Sequence, residues 1–453
     1  LRLQCVVLLL LTAAAQAQQV KLPPAVHTRL QNGLHLVLME YRKSPVLAVR
    51  MEFPGGTAAE TAGPAGAAGI TAAMLKSGTL GRTGPELSEQ FEYLGSAPSI
   101  TAQPDRIEIA LTLLKTHADA GLKLLAEMVR ESQYPAQEFE RRRRLAVSAL
   151  QSLADEPAAL NARVADEVAY SGHPYGALPT TESLKALTRE DILQYARRVI
   201  APNRAVLVLV GDFSTAELAA KAKALFADWT AAPQPVAQPP GVTLQPRRVV
   251  VIDKPDAEQT NAVWIRAGIP RNHPLYLPCE VADAALGGGF TSRLVEEVRV
   301  NRSLTYGIRS GFTMLTTGGT FSVRTFTKVE TTADLIQVTE RVLRDTARKG
   351  VTAKELAKVK GYMAGQFAIH LQTPEGIAAS LADGVINNLP DNEISTWLQR
   401  LNAVTPAQVN AAAAQFFNPA KLSLVLTCPV QKTAAVLRQL GAEKPRPASE
   451  VAR

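Results

Sequence analysis

The residue types that usually carry hydrolytic or metal chemistry are few and scattered in this 453-residue sequence. Its six histidines are His27, His35, His117, His173, His273 and His370, and none stands four residues from another, the spacing that turns two imidazoles toward one metal from a helical face. His173, in Gly-His-Pro-Tyr-Gly (172–176), reads as a packing or turn residue. No local context joins a Ser or Cys nucleophile to a His and a carboxylate. Three consecutive glycines, Gly287, Gly288 and Gly289, permit close backbone approach and positive φ. They suit a substrate-facing loop or simply a tight turn, and they lack the spacings of a phosphate-binding loop. The stretch Gly63–Thr79, GPAGAAGITAAMLKSGT, reads as an apolar helix behind a strand, with nothing in its first half able to do chemistry.

The rest of the composition narrows the class. With 46% hydrophobic, 20% charged and 5% aromatic residues the chain is globular, and its length calls for two or more domains. Its 49 basic and 41 acidic residues give a net charge of +8, but the charges are dispersed and no aromatics interleave with basic clusters, which argues against a nucleic-acid role. The one dense run, Arg141–Arg144, lies in a predicted helix, where Glu138 and Glu140 can balance a solvated face. At the N-terminus, Arg2, the apolar run Cys5–Ala15 and the Ala15-Gln16-Ala17 site read as a secretory signal over residues 1–17, implying a secreted or periplasmic protein. No other run is apolar enough for a membrane span. Cys279 and Cys428 remain, either as a disulfide or as two free buried thiols.

The elements that would position a site come as a repeat. Leu187–Phe213 matches Val404–Val430: each opens on a Thr N-cap, Thr188 or Thr405, with Asp191 or Gln408 at the capping-box position, and each ends in an apolar strand. The same 217-residue offset aligns Pro135–Glu140 with Thr352–Ala357. Each half therefore reads as one α+β domain, a mostly antiparallel sheet packed with helices. The first opens on a hairpin turning at Asn32-Gly33. The expected organisation is a domain over 18–232, a proline-rich linker over 233–246, a second domain over 247–442 and a flexible tail over 443–453.

With the repeat in place, the chain resembles the pitrilysin/insulinase clan of zinc metallopeptidases, and within it the short two-domain chains related to mitochondrial processing peptidase. The resemblance rests on Gly172–Leu178 (GHPYGAL), Ile200–Phe213 (IAPNRAVLVLVGDF) and Leu286–Ile308 (LGGGFTSRLVEEVRVNRSLTYGI). In catalytic members the opening helix carries H-x-x-E-H: two His bind zinc, the Glu is the general base, and a more distant Glu completes the metal site. The family pattern lies without gaps over Gly66–Thr79, which places the first His at Gly69, the base at Ala72 and the second His at Ala73; the third ligand falls at or near Ala149. None of these can bind metal, so no cofactor is expected on this chain.

The resemblance also implies what is kept. In catalytic assemblies of the clan, an Arg and a Tyr seven residues apart face the zinc site across a chamber, and Arg299 and Tyr306 have that spacing. A guanidinium offers forked donors and a phenol one neutral donor, and both can meet a carbonyl oxygen whose charge grows in the transition state. The plainer alternative is that Arg299 pairs with Glu296 on a helix surface and Tyr306 fills a strand position. The resulting expectation is the zinc-free subunit of a heterodimeric metalloendopeptidase, partnered by a homologous zinc-bearing chain and acting on an unfolded peptide. The alternative is a non-catalytic scaffold or peptide-binding subunit, like the respiratory-complex core proteins.

Overall fold

The structure, a computed structural model, describes residues 21–60, 63–233 and 236–453. The signal expected over 1–17 lies outside the described residues. The first half contributes β1 (Val26–Arg29), β2 (His35–Glu40), β3 (Val46–Pro54), β4 (Ser99–Ala102), β5 (Arg106–Leu114) and β6 (Val206–Gly211), in the order β1-β2-β6-β3-β5-β4. The second contributes β7 (Val249–Asp253), β8 (Gln259–Ala267), β9 (Ile308–Met314), β10 (Gly319–Lys328), β11 (Ser423–Cys428) and β12 (Arg446–Pro447), in the order β12-β7-β11-β8-β10-β9. Each sheet threads its last long strand into the middle: β6 runs parallel to β2 and antiparallel to β3, and β11 runs parallel to β7 and antiparallel to β8.

The repeat seen in the sequence is thus a repeat of topology. Thr188 and Thr405 each accept a hydrogen bond from the N3 backbone, of Asp191 and of Gln408, and both capping boxes are complete. The strands that follow begin at Val206 and Ser423, again 217 residues apart. The hairpin of β1 and β2 turns at Asn32-Gly33; Gly33 has φ +91°, and a Cβ there would lie 2.7 Å from the Asn203 Cβ, so only glycine closes the turn.

Both β6 and β11 are buried along their whole length, because each sheet is covered on both faces. One face packs on helices of its own half. The other is covered by a helix of the opposite half. Helix Pro374–Ile386 lays Ile377, Ala378, Leu381 and Ala382 on Val37, Met39, Val206, Val208 and Val210 of the first sheet. Reciprocally, helix Pro157–Ala169 lays Leu160, Val164, Ala165 and Val168 on Val250, Ile252, Val263, Ile265 and Val425 of the second. Two sequence domains become one interlocked body.

Residues 443–453 are not the flexible tail expected. β12 pairs with β7, helix Ala448–Val451 follows, Val451 and Ala452 are buried in the cluster around helix Pro157–Ala169, and Arg446 Nη1 bonds Glu167 at 2.9 Å. Val451 and Ala452 complete a packed face, and that burial holds the segment in place.

Candidate functional site

The opening helix forms as Ala67–Met74 and buries Ala67, Ala68, Ile70, Ala72 and Met74. It starts at Gly66 (φ +114°), where a Cβ would meet Leu184 Cδ2 at 2.6 Å. No side chain at the N-cap holds the first turn. A remote carboxylate does: Glu60 Oε2 accepts from Gly66 N (2.9 Å) and Oε1 from Ala68 N (2.6 Å). Exposed N–H groups at a helix start attract an anion. Glu60 is itself buried, and burial pushes its carboxyl up to about 7 against those two hydrogen bonds and the nearby Arg198.

That shift has a sign. The folded carboxyl holds its proton more tightly than the unfolded one, so Glu60's contribution to stability is full below about pH 4.5 and is lost as pH rises through about 7. The linked change is on the order of 3 kcal/mol. Urea midpoints at pH 5 and pH 8 are expected to differ less in Glu60→Gln than in the parent. An equal difference in the two proteins would remove Glu60 as the titrating group.

On this helix Gly69 is exposed, Ala72 is buried and Ala73 is half-buried; Ala149 is exposed on helix Ala136–Ser152, which packs against it. A Cβ at Gly69 would meet nothing within 4 Å, so space for a larger side chain exists but no donor fills it. The four residues offer no side-chain nitrogen, oxygen or sulfur and do not fit a zinc ion. Among the described residues no group of three or more His, Cys, Asp or Glu could hold a metal.

The other candidate cluster is assembled by the second half. Helix Tyr276–Leu286 ends in the three glycines, then a π-helical segment, Val295–Asn301, buries Val295 and Val298 and carries Arg299. π-Helical turns recur at functional sites. Ser303, at φ +52°, follows the end of this segment, its N–H bonding Arg299 O at 3.1 Å. Thr305 Oγ1 then donates to Gly307 O at 3.0 Å, and Thr325 Oγ1 of β10 donates to the same oxygen at 2.9 Å. Those bonds fix the backbone on either side of Tyr306 and leave its side chain out in solvent, 81% exposed. The Arg299 guanidinium carbon lies 5.2 Å from the Tyr306 ring centre and 5.2 Å from that of Phe290, which is 78% exposed.

The structure therefore brings Arg299 and Tyr306 together. Arg299 makes no ion pair with Glu296; neighbouring Glu297 is taken by Arg302 and Arg341. Tyr306 sits in a bend, not a strand. A guanidinium held between two exposed rings, with no acceptor among the described residues, is set up to receive one. Phe290 was not singled out in the sequence; its signal was an aromatic residue directly after three glycines.

The glycine loop needs its composition for a different reason than positive φ, since none of the three residues adopts it. Gly287 and Gly288 bond back to Asp283 O (both 2.9 Å). A Cβ on Gly287 would meet Ser310 Oγ at 2.4 Å, and one on Gly288 would meet Asp283 Oδ2 at 2.8 Å. Gly287 is buried, so it serves the turn; Gly288 is exposed and Gly289 half-buried. Underneath, Asp283 accepts from Ser310 Oγ at 2.5 Å, and burial pushes its carboxyl up to about 7.

The remaining candidates fall to structural roles. His173 Nδ1 accepts from Tyr175 N at 3.1 Å, which leaves Nε2 to donate to Pro240 O at 2.8 Å, tying the turn to the proline-rich segment. Arg141 and Arg142 pair with Glu138, and Arg143 pairs with Glu140. Cys279 and Cys428 are free and buried. His27 and His35, distant in sequence spacing, meet across the first hairpin with Nδ1 and Nε2 3.3 Å apart. No helix among the described residues is long and apolar enough to cross a membrane.

Comparison with known proteins gives a consistent picture. Residues 36–178 match the family described as Insulinase (Peptidase family M16), and residues 186–363 match Peptidase M16 inactive domain. The chain is 27% identical over 394 residues to an uncharacterized zinc protease of Mycobacterium tuberculosis, spanning 85% of this chain and 89% of that one. It is 24% identical over 392 residues to the Non-peptidase homolog YmxG of Helicobacter pylori, spanning 84% and 88%. A solved peptidase M16 inactive domain from Pseudomonas fluorescens superposes with a TM-score of 0.85 at 26% identity, over 93% of this chain and 99% of that one.

Proposed function

Because the chain belongs to the peptidase M16 family, we propose that it is the non-zinc-binding subunit of a heterodimeric metalloendopeptidase, secreted or periplasmic, whose homologous partner carries H-x-x-E-H. The observation that carries this reading is the contrast between the two sites. Gly69, Ala72, Ala73 and Ala149 hold no ligand or base, while Arg299 stands without an acceptor between the exposed rings of Phe290 and Tyr306.

In this reading the partner performs the hydrolysis. This chain binds the unfolded peptide: Arg299 and Tyr306 donate to the carbonyl oxygen as it gains charge, and Gly288 and Gly289 let the peptide backbone come close. Phe290, Val300 and Tyr306, all exposed, give an apolar surface for the peptide or the partner to cover. The alternative, a scaffold that binds peptide without assisting catalysis, keeps the same surface and loses only the donor role.

Native mass spectrometry of a mixture with an H-x-x-E-H homologue is expected to show a 1:1 complex with one zinc. Mutating the partner's motif should remove that zinc. Zinc that persists, or no complex, would count against the proposal.

A further inference from the structure

A cavity of about 470 Å³ lies between the halves, away from the opening helix and from Arg299. Its walls include the starts of β2 and β6, Ala232, Pro233 and residues 236–239, and the end of helix Pro374–Ile386. Three basic residues line it: Arg29, His35 and Arg204. Arg204 has neither hydrogen bond nor ion pair through its side chain among the described residues, and its Nε and Nη2 are closed off from solvent without a partner. His35 Nδ1 is likewise buried and unpartnered.

The carboxylate on the wall does not compensate them. Asp105 already accepts from Thr316 N (3.0 Å) and Thr316 Oγ1 (2.8 Å) and pairs with Arg106. The other charged neighbour of Arg204 is Arg198, and burial together with that like charge lowers its affinity for its proton. His35 is lowered in the same way, first by burial, then by Arg29 and His27, against a weaker pull from Asp391. Buried donors left unpaired are costly, and buried uncompensated charge more so. The rest of the lining is mixed: Pro54, Val206, Val385 and Ile386 supply apolar surface, beside the polar Asn203, Gln238 and Asn388.

We infer that this inter-half cavity binds a small monocarboxylate with an apolar body, its carboxylate on Arg204 and His35 and its hydrocarbon against Val206, Val385 and Ile386. The volume falls in the range of ligand sites. The carboxylate completes the forked donors of Arg204 and the Nδ1–H of His35. Arg204 and His35 belong to the first half and Val385 and Ile386 to the second, so the ligand fastens the two together. The carboxylate has two sources of the same chemistry, a free aliphatic acid or the C-terminus of a short peptide. The site stands whether or not the chain has a peptidase partner.

Isothermal titration of the full chain with octanoate, octanamide, inorganic phosphate and Leu-Leu dipeptide tests this. Octanoate is expected to bind saturably and to raise the melting temperature by about 3 °C at a hundredfold excess over Kd. Octanamide and phosphate are expected to bind at least tenfold more weakly. Arg204→Met should weaken octanoate at least tenfold while leaving the unliganded melting temperature unchanged or higher. Ile386→Trp, which fills the apolar end, should do the same to affinity by another route. Tighter binding of the dipeptide than of octanoate would assign the carboxylate to peptide ends, and the reverse to aliphatic acids. No saturable binding of either acid, equal binding of octanamide or phosphate, or undiminished binding by a folded Arg204→Met would overturn the inference.

Discussion

Arg299→Ala in this chain, assayed in a complex with a zinc-bearing homologue, is expected to lower kcat by about 10²- to 10³-fold while the complex still forms. The expectation follows from where the side chain stands. Its guanidinium is in cation–π contact with Phe290 and Tyr306 and has no acceptor among the described residues; under the proposed function a peptide carbonyl would be the partner for its N–H groups. Truncation removes charged donors that matter most as the oxygen becomes anionic, which moves kcat more than KM. Tyr306→Phe keeps the ring against Arg299 and removes one neutral donor, so its loss should be smaller, and the double variant should lose less than the product of the two. A normal kcat in Arg299→Ala would leave the scaffold reading in place. A loss seen only in KM would make the pair a binding element.

Separating the halves is expected to have the largest effect on the fold. A fragment of residues 21–233 leaves Val37, Met39, Val206, Val208 and Val210 bare, because helix Pro374–Ile386 belongs to the other half. Five buried aliphatic or thioether side chains at about 1.5–3 kcal/mol each are worth as much as the whole stability of an ordinary domain. The second half loses the cover of helix Pro157–Ala169 over Val250, Ile252, Val263, Ile265 and Val425. Each fragment alone should be insoluble or lack a cooperative melt, and co-expression should restore one soluble, cooperatively melting complex. A monomeric, cooperatively folded 21–233 fragment would show that the exchanged helices are dispensable.

The sequence made the repeat legible because its signals are local. Thr188 with Asp191, Thr405 with Gln408 and the Asn32-Gly33 turn each act within a few residues, and each sits where expected. The empty metal positions were equally legible, since the lack of a ligand atom at Gly69, Ala72, Ala73 and Ala149 depends on residue type alone. The helix exchange was not. All-apolar strands such as Val206–Gly211 say that both faces are covered, but not which helix covers them. Glu60 left no trace either: a carboxylate capping a helix from several residues upstream has no motif, and Gly66 marks only that the turn is special. The tail was misread because Val451 and Ala452 are too few to form a periodic pattern, yet they complete a packed cluster. Of the two reasons for the glycines, close backbone approach holds and positive φ does not: Ser310 and Asp283 leave no room for a Cβ on Gly287 and Gly288.

The central claim is that a chain without metal ligands lends donors to a reaction run by its neighbour. Its most direct test is hydrolysis of an unfolded peptide by this chain alone, by a zinc-bearing H-x-x-E-H homologue alone, and by the two mixed. The account predicts little turnover from either chain alone and a large gain on mixing that saturates at 1:1. Peptide cleavage by the pure chain with one zinc bound would contradict it.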